Sequence, residues 1–350
     1  MSRARRKLNL RNHLSMKFKF SFIITIALFL SFTGVKTHAA EDDAPAEQTI
    51  AAAESVAVSV CLESGDITVR GWERREVHAR TSSGGQLELR RTDGANTSAP
   101  ATSVEVLITE APEIKPRPGQ CNYSGDLELD VPRGSIVQLK GRNGDLVVSG
   151  VAQLRAETLS GSIELRDISR AVEVTTANGD ISLKHAKGRA HLRSISGQID
   201  VSDAEPVEAA DDLWAKTTSG DITLTQVRHA HVEAGTTAGS IDLTGPLAHG
   251  GFYDLKTTQG DVTMTIPADS SFFLNARVYY GGDIVTDFPI RLVSGPNKEG
   301  HEPDKNKPDK PKGNALSGGN LTGIYGRNEK PDATLNLASF SGSVQLRKKQ

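Results

Sequence analysis

The chain has little of what covalent chemistry needs. Its 350 residues include 2 cysteines, 2 tryptophans and 3 methionines, and aromatics make up 5%. No CxxC pair occurs, nor a GxSxG elbow, an HExxH helix or a phosphate-binding loop. Those absences remove the usual signatures of thiol exchange, serine hydrolases, zinc proteases and P-loop NTPases. No catalytic residue, cofactor or metal is therefore assigned. Windows of helical periodicity are missing too, and proline is rare inside the strand-like runs.

Positive charge is scarce once the first forty residues are set aside. They hold eight of the 41 Lys/Arg and no Asp/Glu, leaving 33 basic against 43 acidic side chains, a net of −10. Such a surface repels nucleic acid and anionic lipid. Residues 1–40 read as a secretory signal, with a basic start (Arg3 to Lys19), an apolar run (Phe20 to Phe32) and small residues for cleavage up to Ala40. The apolar run falls short of the ~20 residues of a membrane span. The mature protein is expected to lack a span and to be exported, to the periplasm or the cell exterior. A retained N-terminal anchor is the alternative.

Cys61 and Cys121 then lie in a compartment that permits disulfides. Each stands four residues before a glycine of a repeat, Gly65 and Gly125. On neighbouring rungs their Cα atoms would be about 4.8 Å apart, within reach of a bridge. A Cys61–Cys121 disulfide and two separate buried thiols both remain open.

What is abundant is glycine followed by Asp, Ser or Gln and then Ile, Leu or Val. The pattern occurs at Gly65, Gly125, Gly134, Gly144, Gly161, Gly179, Gly197, Gly220, Gly239 and Gly260. It returns at Gly282, with one further glycine before it, and at Gly342. From Gly144 to Gly282 the steps are 17, 18, 18, 23, 19, 21 and 22 residues, the period of a stacked repeat. From Gly144 to Gly260, apolar residues fall two and four places after the glycine and five and seven before it. The Gly179 copy has Ile181, Leu183, Val174 and Val172. That alternation is a strand with one buried face. Each copy supplies two short strands meeting at the glycine, and only stacked copies bury a continuous core. The fold class is all-β: a parallel β-solenoid of about 18–22-residue repeats with a strand-rich insertion near the N-terminal end. A β-sandwich also strings short strands together, but it would not repeat its residues in register.

Two polar columns accompany the core. The residue after the glycine runs Asp145, Ser162, Asp180, Gln198, Asp221, Ser240, Asp261, Asp283. An unbroken Asp column would set like charges opposite one another, and the Ser and Gln positions separate them. Three before the glycine, Thr158, Thr176, Ser194, Thr217, Thr236 and Thr257 can hydrogen-bond along the stack.

Residues 41–55 read as a flexible lead and 56–347 as one solenoid domain. An insertion at 71–124 interrupts the repeat with strand-like runs near Glu76–Arg80, Gln86–Arg90 and Ser103–Thr109, expected as a flap beside the first rungs. Residues 295–318, charged and rich in Pro and Gly, read as a disordered loop. Ala333–Arg347 writes a last copy, expected to close the stack.

SGDITVRGW at 64–72, LELDVPRGSIVQL at 127–139, the serial SGDI copies and GGDIVTDFP at 281–289 resemble the bacterial cell-envelope "putative adhesin" domain, a family of unknown function. The resemblance covers residues 56–347. It implies a β-solenoid with an exported, surface-associated binding role, and it carries over no catalytic residues.

The leading expectation is an exported, non-enzymatic solenoid presenting a polar face to an envelope or surface component, protein or glycan. The candidate partner-binding surface is Trp214, outward by parity, with Arg193, Lys216 and Lys256 from a partly basic column four before the glycines. One alternative is a carbohydrate-active enzyme using outward Asp residues, with Asp261 and Asp283 on adjacent rungs. Another is a self-assembling scaffold whose uncovered ends stack between molecules. His229 and His231, two apart, are too few ligands for a metal site.

Overall fold

The computed structural model describes residues 46–82, 85–94, 98–109, 121, 123–293, 319–326 and 331–349. Residues 1–40, expected as a secretory signal, and residues 295–318, expected as a disordered loop, lie outside the described residues. Every regular element among those described is a strand. Strands that follow a repeat glycine, such as Ile181–Lys184, stack as one ladder, face A. Those that precede a glycine, such as Ala171–Asn178, stack as a second, face B. Pairing in the central rungs is parallel and in register: Ile163, Ile181, Ile199, Ile222 and Ile241 sit directly one upon the next. This is the β-solenoid expected from the repeat.

Val172, Val174, Ile181 and Leu183 are all buried, as alternation requires. A third interior column, seven after the glycine, comes from the return segment: Val151, Ile168, Ala186, Ala204 and Val227. Counting in steps of two passes over it, because the residue stands outside any alternating run. Just before it Gly150, Asp167, His185, Asp203 and Gln226 take left-handed φ values of 53–69°, which turn the chain into that segment.

The corner glycine has two causes, and the sequence suggests only one. Gly161 has φ +123°, where a side chain is strained. Gly179 lies outside the left-handed region, yet a Cβ there would stand 2.0 Å from the Gly161 carbonyl oxygen. Close backbone packing between rungs therefore demands glycine at the corner even where φ does not.

Rung order departs from chain order at both ends. Ile67–Trp72 lies between Leu127–Pro132 and Leu146–Ser149, so the Gly125 copy sits outside the Gly65 copy. At the other end Val344–Lys348 lies between Val262–Ile266 and Ile284–Thr286. Likewise Ala333–Ser341 lies between Gly251–Gln259 and Phe272–Tyr280. The last copy does not close the stack but enters it as the penultimate rung. Beyond that rung on face B, Gly319–Tyr325 pairs antiparallel with Phe272–Tyr280, and Arg291–Leu292 pairs antiparallel with Gly319–Tyr325 at the outer edge. Periodicity marks which copies are alike, not which are neighbours.

The flexible lead is likewise a strand from Ala46 onward. Ala46–Ser64 pairs its first residues antiparallel with Glu76–Thr81 and its later ones parallel with Ile136–Asn143. No alternation marks its start; pairing across the open end orders it. The insertion is built into the ladders. Glu76–Thr81 joins face A, Ala101–Thr109 joins face B, and Gln86–Arg91 pairs antiparallel at its outer side. Such reversed strands interrupt the parallel template that an open end would offer to another molecule. Gly134 is no corner; it sits in a turn where the Ser135 N–H donates to Pro132 O at 3.0 Å. With the Gly65 and Gly125 copies adjacent, Cys61 and Cys121 form a disulfide, their Cα atoms 4.9 Å apart.

Candidate functional site

The acidic column reads differently in rung order: Asp126, Asp66, Asp145, Ser162, Asp180, Gln198, Asp221, Ser240, Asp261, Ser343, Asp283. Ser343 stands between Asp261 and Asp283, so the two expected acid partners are not on adjacent rungs. Alternation of Asp with a neutral residue is unbroken from Asp145 onward. The carboxylates also have structural work. Asp145 accepts the Ser162 N–H at 2.7 Å and Asp180 the Gln198 N–H at 2.8 Å. Asp221 accepts the Ser240 N–H and Asp261 the Ser343 N–H, both at 2.7 Å. These N–H groups point back along the stack, between ladder bonds that point forward. Leaving one without an acceptor costs about 1–3 kcal/mol where it is buried. The later part of the hydroxyl column bonds to backbone, Thr217 donating to Gly197 O, Thr236 to Gly220 O and Thr257 to Gly239 O at 2.7–2.9 Å, whereas the buried hydroxyls of Thr158 and Thr176 have no partner and do not hydrogen-bond along the stack as expected.

On face B, Arg193, Lys216, Gly235 and Lys256 occupy successive positions of one column. The structure thus brings all four candidate residues together, with Trp214 two residues before Lys216 on the same outward side. Trp214 is half-buried. Its ring lies 6.2 Å from the His191 ring, and the Lys216 ammonium sits 4.6 Å from its centroid. Lys216 Nζ is 2.6 Å from Glu233, Lys256 Nζ 2.7 Å from Asp254, and Lys140 Nζ 3.5 Å from Glu157. Acidic neighbours therefore offset most of the basic column, while Arg193 makes no ion pair among the described residues. Partly exposed pairs of this kind contribute at most about 1 kcal/mol each, so they orient more than they stabilise. His191, itself 2.9 Å from Asp212, is the site residue that sequence reasoning missed. Its signal is register: once rungs are aligned, His191 falls opposite Trp214.

His229 and His231 do not converge. His231 is exposed and stacks on Phe252 with ring centroids 5.3 Å apart. His229 is fully buried and its Nε2–H donates to Gly188 O at 2.8 Å, while Nδ1 has no partner. Among the described residues no three His, Cys, Asp or Glu side chains gather to hold a metal. Burial pushes the His229 pKa below its usual 6.5, against the Gly188 hydrogen bond and the nearby Asp211 and Asp212. The folded state holds it neutral while the unfolded state protonates it. Its stabilising share is therefore complete above pH 6.5 and is lost as pH falls toward the folded-state pKa. The expected slope is up to about 1.4 kcal/mol per pH unit. Thermal midpoints between pH 7.5 and pH 5 should fall less steeply in His229→Gln than in the wild type.

Two overlapping stretches, residues 46–243 and 210–312, match the Toastrack DUF4097 family. The chain belongs to that family. Toastrack DUF4097 is a domain of unknown function, so membership carries a fold and no activity. An overlapping double match is what a repeat running through the domain produces. No curated protein matches this Toastrack chain in sequence. Among crystal structures, it is similar to "a putative cell adhesion protein" from Clostridium sporogenes at 10% identity and TM-score 0.22, covering 87% of this chain and 100% of that one. It is similar to "a putative adhesin" from Parabacteroides merdae at 11% identity and TM-score 0.29, covering 64% and 89%. A third, "putative adhesin" from Parabacteroides distasonis, has 8% identity and TM-score 0.32, covering 87% and 97%. At these scores the Toastrack assignment rests on the family match and the strand register.

Proposed function

We propose that the protein is an exported binding protein that presents the outward side of face B to an envelope or surface component, protein or glycan, and does not turn it over. Trp214 carries the reading. A large amphipathic ring stands half-exposed in mid-face, held in one orientation by His191 and by a lysine that Glu233 restrains. Preset aromatic anchors of this kind dominate binding energy at interfaces. The signal-like residues 1–40 and the Cys61–Cys121 bridge favour export. Engagement of Asp145, Asp180, Asp221 and Asp261 with backbone N–H groups favours binding over hydrolysis.

An array of envelope glycans and envelope proteins tests this. At least one ligand should be retained unchanged, and Trp214→Ala should weaken it at least about tenfold, the effect of a modest hot spot. The thermal midpoint should hold. Release of reducing sugars from a bound glycan, lost in Asp261→Asn, would establish the enzyme instead.

A further inference from the structure

We infer a second binding site, for an uncharged glycan, on the aromatic rings where the last two rungs turn. Phe340 and Tyr279 stack across adjacent rungs, with centroids 5.9 Å apart and planes at 29°. Tyr280 packs edge-on against Phe340 at 4.7 Å and 60°. All three remain near half exposure: 52% for Tyr279, 41% for Tyr280 and 47% for Phe340. The late entry of the last copy makes the site, because Phe340 belongs to Ala333–Ser341, which pairs in register with Phe272–Tyr280. The corner itself asks for no aromatic ring. Along the Phe340 column the next three rungs all hold threonine, at Thr258, Thr237 and Thr218.

Size and charge select the occupant. An aromatic side chain offers about 200 Å², so three half-exposed rings present about 300 Å². A stable dimer needs about 800 Å² from each partner, which makes a second copy of the chain too large a fit. Anionic lipid and polyanionic chains are repelled by the net charge of −10 from residue 41 onward. Two or three pyranose units match the area. Their C–H faces stack on rings, and their hydroxyls find polar groups at the rim. Arg277, two residues before Tyr279 on the same outward row, is exposed and makes no ion pair among the described residues. Its five N–H donors suit a cluster of hydroxyls. The site stands apart from Trp214 and does not depend on that reading.

Calorimetric titration of the exported chain with cellohexaose, maltohexaose and chitohexaose tests the proposal. At least one should bind, and Phe340→Ala and Tyr279→Ala should each weaken it tenfold or more with the thermal midpoint unchanged. Trp214→Ala should leave this affinity as it is, which separates the two sites. Failure of all three sugars to bind, or binding that survives the Tyr279→Ala/Phe340→Ala double variant, overturns the proposal. So does a dimer in light scattering that dissociates on Phe340→Ala, since the rings would then be a contact between copies.

Discussion

Gly161→Ala is expected to destabilise the protein by about 4 kcal/mol, from a strained dihedral and an overpacked contact of roughly 1–3 kcal/mol each. The residue sits at φ +123°, and a Cβ there would lie 2.0 Å from Gly144 O and 2.6 Å from Gly144 C. Neither backbone can yield easily. The Gly144 N–H donates to Ser160 O at 3.2 Å and the Gly161 N–H to Asn178 O at 3.0 Å, so a shift at one corner strains both neighbouring rungs. Gly250→Ala is the control: its φ is +69°, but no atom lies within 4 Å of the added Cβ. That change should cost about 1 kcal/mol, the left-handed penalty alone. Thermal melts should show a fall of about 10 °C for the first and a few degrees for the second. Equal falls would mean that dihedral strain, rather than backbone contact between rungs, accounts for the glycine column.

Reduction of Cys61–Cys121 should cost nearly as much. The bridge links residues 60 apart in sequence, a loop whose closure is worth about 4 kcal/mol in the chain-entropy description. It also ties down the end where rung order is exchanged. Between the two cysteines lie the strands of the insertion, and the Gly125 rung begins directly after the second. Dithiothreitol should therefore lower the thermal midpoint of the wild type. A Cys61→Ser/Cys121→Ser variant should melt at the reduced value and ignore the reductant. Hydrogen exchange should quicken first in Leu127–Pro132 and Glu76–Thr81, while Ile181–Lys184 stays protected. An unchanged midpoint would show that the end holds together through its hydrogen bonds and core alone.

The central rungs are legible in the sequence because each is a local object. Ile181 and Leu183 alternate with Ser182 and Lys184, and Gly179 marks the corner, all within a few residues. Sequence position could also bring Trp214, Lys216, Arg193 and Lys256 to one side, since parity and repeat phase suffice for that. The same phase sets His191, six before Gly197, opposite Trp214, six before Gly220, but it could not show that the two rings meet. Nor could it show that Lys216 and Lys256 are offset by Glu233 and Asp254. The Asp261–Asp283 pair fails because neighbours at that end are not consecutive copies: the residue that separates them, Ser343, is written sixty positions after Asp283.

By itself, then, the sequence determined the rung: two strands, a glycine corner, a narrow apolar interior and a polar outer surface. The period-two pattern and the tight backbone approach at Gly179 leave that unit little freedom. Tertiary structure decided the order of the rungs at both ends, and with it the closeness of the two cysteines, the antiparallel strands that end face B and the aromatic cluster of Phe340, Tyr279 and Tyr280. The physical reason lies in the ladder. A parallel edge accepts any copy with matching register, and the entropy of the connecting loop grows only slowly with its length. Copies far apart in the chain can therefore compete for the same edge, and packing at the ends settles which one takes it.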